Sequence, residues 1–211
     1  MISKPKLPWS SKNIPQADMA GLEQDLRQLS LRYMRQSVEL PLDHEKQTVM
    51  ARLYSAANTL QQAVREGMVA GAIFEIGSNL IGCEQMALLV TCEQQDRVAF
   101  AGSVGVNPKQ LEAIRRDAKR ILKEAPADSI YIKTGVEDRF FLSSLGITAL
   151  IPFRLDSATK GVIILFDLLP QRNGGLDSGD RELLNLLCAY AGPCLATNKI
   201  QHQEIFGGVQ G

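Results

Sequence analysis

The sequence predicts an α+β protein in which helices pack against a central antiparallel sheet. In four segments apolar residues recur at steps of three and four, which is the spacing of one face of a helix. Two pairs of strand-like segments are each joined by a short polar turn, which favours hairpins and therefore antiparallel pairing. The chain has 211 residues, 45% of them hydrophobic, and this is enough for a sizeable core.

Before the first strand, the sequence predicts an irregular arm followed by helices. Three prolines interrupt the first 17 residues. From Asp18 the apolar spacing predicts a helix that ends near Glu39, because Pro41 disfavours helical geometry in the residue before it. A second helix is predicted to start at Asp43. Its pattern can continue to Leu80, although three glycines weaken it.

Two hairpins and two further helices follow. Pro108 suits the first turn of a helix, and Asp177 or Ser178 is predicted to cap the last helix. The predicted elements are strands at 86–92 and 97–104, a helix at 108–124, a short strand at 129–133, a helical turn at 138–145, strands at 147–155 and 161–168, and the last helix from 177 or 178.

Opposite charges balance over the whole chain but not along one helix. The 23 basic and 23 acidic side chains give a formal net charge of zero, which disfavours a non-specific nucleic-acid binder. The helix from 108 to 124 holds six basic and three acidic residues, so its net charge is +3. Helical spacing places Arg115, Lys119 and Lys123 in one stripe, with Arg116 and Arg120 beside it. This stripe is a candidate surface for an anionic ligand or an acidic partner, and otherwise a solvated helix face.

The ends and the cysteines predict a cytoplasmic protein without a metal site. The N-terminus lacks the apolar run of a secretory signal, and no apolar stretch approaches membrane-spanning length. Cys83 and Cys92 would lie about 30 Å apart along an extended strand, too far for a disulfide. Cys188 and Cys194, six residues apart, fall on partly different faces of the last predicted helix. There is no Cys-x-x-Cys pair, so we expect small buried thiols in a reducing compartment.

Four segments, taken in order, resemble the GAF domain family. The resemblance covers the chain from about Val49 to Ile200 and rests on the order of these segments rather than on one motif. The segments are Leu-Ile-Gly-Cys-Glu-Gln-Met-Ala-Leu-Leu-Val at 80–90, Leu-Gly-Ile-Thr-Ala-Leu-Ile-Pro-Phe at 145–153, Lys-Gly-Val-Ile-Ile-Leu-Phe at 160–166, and the acidic turn with its helix at 176–191.

The resemblance implies a GAF-like architecture. It comprises a central antiparallel sheet of five or six strands, with the terminal helices packed on one face and a pocket covered by loops and a helix on the other. The chain then divides into an irregular arm at 1–17, an N-terminal helical extension at 18–47, the GAF-like domain at 48–202 and a flexible tail at 203–211.

The same resemblance supplies candidate site residues. Arg139 beside Phe141 would suit a planar anionic ligand, or would lie at the surface beside core aromatics. The implied ligand-binding set is Phe100, Ser103, Thr134, Arg139, Phe141 and Thr148. The spacing of the residues themselves supplies a second candidate set, for interaction with other molecules. Apolar residues at steps of three and four on the terminal helices, together with two cations of the basic helix, make up this set: Leu22, Leu26, Leu29, Tyr33, Leu53, Leu60, Leu183, Leu187, Arg115 and Lys119.

These expectations lead to a non-catalytic sensor or adaptor domain in bacterial signal transduction. We expect a homodimer formed through the terminal helices that acts through a protein partner and binds a small molecule at most, with no cofactor, metal, nucleic acid or membrane insertion. One alternative is a thiol-based enzyme similar to a methionine sulfoxide reductase, although Glu84 and Glu93 would raise the pKa of neighbouring thiols. Another alternative is a ligand-free dimeric scaffold, whose pocket would be filled by its own side chains.

Overall fold

A computed structural model describes residues 19–39, 44–92, 97–126, 129–133, 140–156, 159–169 and 175–197, and it confirms the α+β class. None of the helices in these ranges is long and apolar enough to cross a membrane. The helices are α1 (Met19–Glu39), α2 (His44–Glu66), α3 (Val69–Glu75), a π-helix (Ile76–Ile81), α4 (Pro108–Glu124), α5 (Phe140–Ser144) and α6 (Ser178–Thr197). The strands are β1 (Met86–Cys92), β2 (Arg97–Val104), β3 (Tyr131–Ile132), β4 (Ala149–Arg154) and β5 (Thr159–Leu165).

The described strands form one antiparallel sheet in the order β2-β1-β5-β4-β3. The inner strand β1 pairs with β2 on one side and with β5 on the other, so that Met86 lies opposite both Val104 and Leu165. A bulge between Leu88 and Leu89 shifts the register with β2. An isolated bridge from Cys83 to Leu168 extends the β1–β5 contact.

The predicted bounds of β1, β2 and α4 coincide with the observed ones, and β3 and β4 are shorter than predicted. Strand β5 begins two residues before its predicted start and ends three residues before its predicted end. The helical pattern to Leu80 is present but divided into three pieces. Gly67, with φ of 75°, ends α2, and the last piece is a π-helix closed by Gly82 in the left-handed conformation. The predicted boundary after residue 47 falls inside α2, while the predicted arm, the caps Asp18 and Asp43, and the tail lie outside the described residues.

Both faces of the sheet are covered. On one face, Leu88, Ile151 and Ile163 join the buried residues of α1, α2, α3, the π-helix and α6. On the other face, Leu89 and Ile164 pack with α4 and the segment around α5. Because a strand is pleated, successive side chains point to opposite faces of the sheet. The core is therefore divided into two groups of buried residues, here called the helical-layer cluster on the first face and the α4-side cluster on the second.

The helices α1 and α2 form an antiparallel hairpin on the first face. Leu22 and Leu26 of α1 are buried in the helical-layer cluster. Near the start of α1, Glu23 accepts a hydrogen bond from Arg65 at the end of α2, with Nε and Oε2 3.0 Å apart. The hairpin therefore joins the N-terminal extension to the core instead of leaving it to stand alone.

Candidate functional site

The predicted ligand-binding residues have different environments. The Thr148 hydroxyl donates to the carbonyl of Phe166, and Ser103 is exposed on β2 opposite Ala87. Phe141 is half-buried against the α4-side cluster. Phe100 pairs with Leu89 through its backbone, but its side chain, together with Thr134 and Arg139, lies outside the described residues.

Apolar side chains of the chain itself fill the described part of the face where a pocket was expected. Ile114 and Ile121 of α4 are fully buried, as are Val162 and Ile164 of β5 beneath them. Leu142 of α5 completes this packing. Among the described residues, a small molecule would have to displace these contacts or bind at their border.

At that border, Arg120 of α4 lies over the ring of Phe141, with Cζ 3.7 Å from the ring centroid. A guanidinium stacked in this way uses its face for the cation–π contact, while its N–H groups remain directed outward in its own plane. Arg120 is exposed, and it makes no hydrogen bond or ion pair with the described residues. The arrangement holds one cation of α4 in place and presents its donors to the surroundings.

Helical geometry places Arg120 within a line of cations, here called the basic ridge and made up of Lys109, Arg116, Arg120 and Lys123. At 100° per residue these four lie within about 60° around the axis of α4, and all four are exposed. Asn107 caps the helix by accepting from the amide of Gln110 at 2.9 Å, which fixes where the ridge begins. The predicted residues Arg115 and Lys119 are exposed on one flank of this ridge.

Most of the predicted interaction residues on the terminal helices are core residues of this chain, whereas Leu29 and Tyr33 are only partly buried against that core. A side chain with no exposed surface cannot reach a second molecule while the helices keep their packing. The predicted interface therefore requires other residues of the same helices. The buried members of the set are Leu22, Leu26, Leu53, Leu60, Leu183 and Leu187.

A second apolar stripe, not predicted from the sequence, lies on the opposite side of α1. Leu31, Met34 and Val38 are 40%, 42% and 80% exposed, and they repeat at steps of three and four. Tyr54 of α2 is also exposed. Glu23 of α1 and Arg65 of α2 pair across the antiparallel hairpin. Met34 follows Glu23 by eleven residues and Tyr54 precedes Arg65 by eleven, so the two side chains lie at the same height along the hairpin. The spacing of these three residues could have been recognised in the sequence, but the stripe that α1 buries in the core has the same spacing and accounted for the helix on its own.

A polar junction, not predicted from the sequence, joins α2, the π-helix and α6. Arg52 donates to the carbonyl of Leu80 at 2.6 Å and to the carboxylate of Asp180. Asp180 also accepts from the amide of Asp177 at 2.9 Å, while Asp177 accepts from the amide of Asp180 at 2.7 Å. This reciprocal cap satisfies donors at the start of α6, and the buried Arg52–Asp180 pair connects that cap to α2.

The two buried cysteines, Cys83 and Cys194, are poor nucleophiles. Burial raises the pKa of Cys83 to about 11, with further contributions from Asp167 and Glu84, and raises that of Cys194 to about 12. Both thiols therefore stay protonated at neutral pH. In the described part of the chain, no three histidine, cysteine or acidic side chains lie close enough together to hold a metal ion.

Scanning the sequence against protein-family models returns no match, and no curated protein is significantly similar to it. Function is therefore inferred from the fold, the exposed surfaces and the chemistry of the side chains.

Proposed function

We propose that this chain is a GAF-like, non-catalytic sensor or adaptor domain of bacterial signal transduction that acts in the cytoplasm as a homodimer. The observation that carries the proposal is the exposed stripe of Leu31, Met34 and Val38 on α1. Apolar residues at steps of three and four are the spacing by which two helices pack against each other. The helix α1 packs mainly on α2, so its opposite side faces outward. A second copy would cover the stripe and Tyr54 together.

The architecture supports the GAF-like part of the proposal. Helices from both ends of the described chain cover one face of an antiparallel sheet, while α4 and α5 cover the other. This is the layer arrangement that the sequence resemblance implies. The filled α4-side cluster favours a domain that binds a small ligand only at the border near Phe141, or binds none and serves as a scaffold.

The buried thiols weigh against the thiol-based enzyme. A nucleophilic cysteine needs an accessible thiolate, whereas burial raises the pKa of Cys83 and Cys194 well above neutrality. Replacement of Cys83 and Cys92 by serine should therefore leave dimer formation and partner binding unchanged. Loss of a methionine sulfoxide reductase turnover in this double variant would instead establish the enzyme.

Native mass spectrometry tests the dimer and any retained ligand together. The wild-type protein should appear at twice the chain mass of 23.2 kDa. The double variant Leu31→Glu/Val38→Glu should appear at the single mass, because two such stripes would place carboxylates in an apolar contact.

Asn79→Glu serves as a control, since it adds an exposed carboxylate on the π-helix. This variant should remain dimeric. A monomeric wild type, or a double variant that dimerises as the wild type does, would refute assembly through α1.

A further inference from the structure

We propose that the basic ridge of α4 docks an extended acidic segment of a partner protein, with Arg120 as its anchoring residue. This rests on the proposed adaptor function, because it names the surface and the chemistry through which such a domain would reach its partner. The ridge is on the far side of the sheet from the helical layer, so that docking and dimerisation use separate faces.

Arg120 is suited to the anchoring role because its side chain is already ordered. Contact with Phe141 fixes the guanidinium before a partner arrives, which reduces the conformational entropy lost on binding. The in-plane N–H groups match the two oxygens of a carboxylate. Arginines of this kind are common among the few residues that dominate the affinity of an interface.

The spacing of the ridge fits an extended peptide. At 1.5 Å per residue, Arg116 and Arg120 are about 6 Å apart along the helix axis. Side chains on one face of an extended strand repeat at about 6.6 Å. A segment with acidic residues at alternate positions can therefore place one carboxylate beside Arg120 and the next beside Arg116. The Nε and Nη2 atoms of Arg116 already donate to Asp117, so Nη1 is the donor group that it offers to a partner. The whole ridge, from Lys109 to Lys123, is about 21 Å long.

The other charges on α4 favour a patterned protein segment over a uniform polyanion. Asp117 and Glu124 flank the ridge, and Asp117 accepts from Arg116 at 3.0 Å. A nucleic-acid backbone would bring phosphates against these carboxylates, and the chain as a whole has no net charge to offset the repulsion. Nor does α4, which is described in full, expose any large apolar side chain that could enter a lipid surface.

Fluorescence anisotropy with a labelled peptide of four Ser-Glu repeats tests the proposal, with four Ser-Gln repeats as the neutral control. At about 50 mM salt the wild-type protein should bind the Ser-Glu peptide and not the Ser-Gln peptide, and the affinity should fall as salt is added. Arg120→Glu should weaken binding by about tenfold or more. Arg120→Lys keeps the charge but loses the planar fork, so it should weaken binding by about threefold.

Arg181→Glu is the matched control, because it reverses one exposed charge on α6 and changes the net charge equally. Its affinity should stay within about twofold of the wild type. Equal losses in Arg120→Glu and Arg181→Glu would overturn the proposal, as would failure to distinguish the two peptides.

Tighter binding to duplex DNA or to phosphatidylserine vesicles at the same salt concentration would also overturn it. Native mass spectrometry of Arg120→Glu should still show the wild-type oligomer, so that failure of this proposal and failure of the dimer can be told apart.

Discussion

Asp180 is a fully buried carboxylate, and each of its oxygens has a partner in the described structure. Arg52 contacts one oxygen and the amide of Asp177 donates to the other. A buried ion pair contributes little net stability when intact, but removing one partner leaves the other charge without compensation. The junction therefore makes the relative placement of α2 and α6 sensitive to this one charge.

We predict that Asp180→Asn lowers the free energy of unfolding by about 3 kcal/mol, because Arg52 would keep its charge in a partly buried site. Urea denaturation at pH 7 measures the change. Asp177→Asn is the control. The Oδ1 atom of Asp177 is 3.8 Å from Nη1 of Arg52, but this ion pair is solvent-exposed on the Asp177 side and therefore weak, and asparagine remains a good cap, so the change should cost about 0.5 kcal/mol or less. Equal losses in the two variants would show that the cap, and not the buried pair, carries the stability.

We predict that titration of Cys194 lowers the stability of the fold at alkaline pH. Burial raises the pKa of its thiol from 9.0 to about 12. Above pH 9 the unfolded chain therefore releases this proton while the folded chain keeps it, and stability falls as pH rises toward the folded pKa. Tyr190, whose pKa is also raised to about 12 by burial, adds to the loss at higher pH.

Between pH 9 and 10 the free energy of unfolding of the wild type should therefore fall by about 1 kcal/mol more than that of Cys194→Ala. Urea denaturation across this pH range measures the two slopes. Between pH 6 and 8 the slopes should match. Parallel curves above pH 9 would mean that the thiol titrates normally in the folded protein.

The residues of greatest interest were the hardest to predict from the sequence. Arg52 and Asp180 are far apart along the chain, as are Arg120 and Phe141, and no periodicity connects the members of either pair. The sequence did indicate a cationic helix, because six basic residues fall within one short segment. Only the fold selects Arg120 from among them, by bringing Phe141 beneath it.

The helix α6 lies against the backbone of β4 at Gly192. A Cβ atom at this position would overlap the carbonyl oxygen of Arg154. A helix can lie this close to a strand only where it has no side chain. Gly192 therefore sets the distance between α6 and the sheet.

We predict that Gly192→Ala destabilises the protein by about 2 to 3 kcal/mol, because the obstructing atoms belong to the backbone and cannot change rotamer. Gly71→Ala is the matched control. Gly71 is exposed on α3 with no atom near its would-be Cβ, so alanine should stabilise by about 0.5 to 1 kcal/mol. Thermal unfolding of both variants checks the contrast, which an equal response at the two sites would contradict.

Elements bounded by local signals were predicted best. Asn107 and Pro108 mark the start of α4, and the polar residues at 93–96 of the sequence separate β1 from β2. The π-helix was not predicted, because its apolar spacing continues that of α2. Its ending depends instead on Gly82 in the left-handed conformation and on the packing of Met86 against Gly77.

At the scale of the whole molecule, one sheet is shared by two apolar clusters. Leu88 faces the helical layer while its neighbour Leu89 faces α4. Neither cluster can lose its strands without exposing the other. We therefore expect the described parts of the chain to unfold as one cooperative unit.

Leu60→Ala in the helical-layer cluster and Ile121→Ala in the α4-side cluster test this expectation. Both side chains are fully buried, so each change should cost about 3 kcal/mol. Calorimetry and far-ultraviolet circular dichroism should show a single coincident transition in each variant. A second transition in either variant would indicate that the two faces unfold separately.

The strand order also determines when the sheet can form during synthesis. The ribosome produces β1 and β2 early, yet the other partner of β1 is β5, which pairs with it from Thr159 to Leu165. Until those residues emerge, the inner edge of a strongly apolar strand has no partner and offers its backbone to any other chain. The nascent protein thus passes through an aggregation-prone interval that ends with the arrival of β5, and slowing translation before residue 159 would lengthen it.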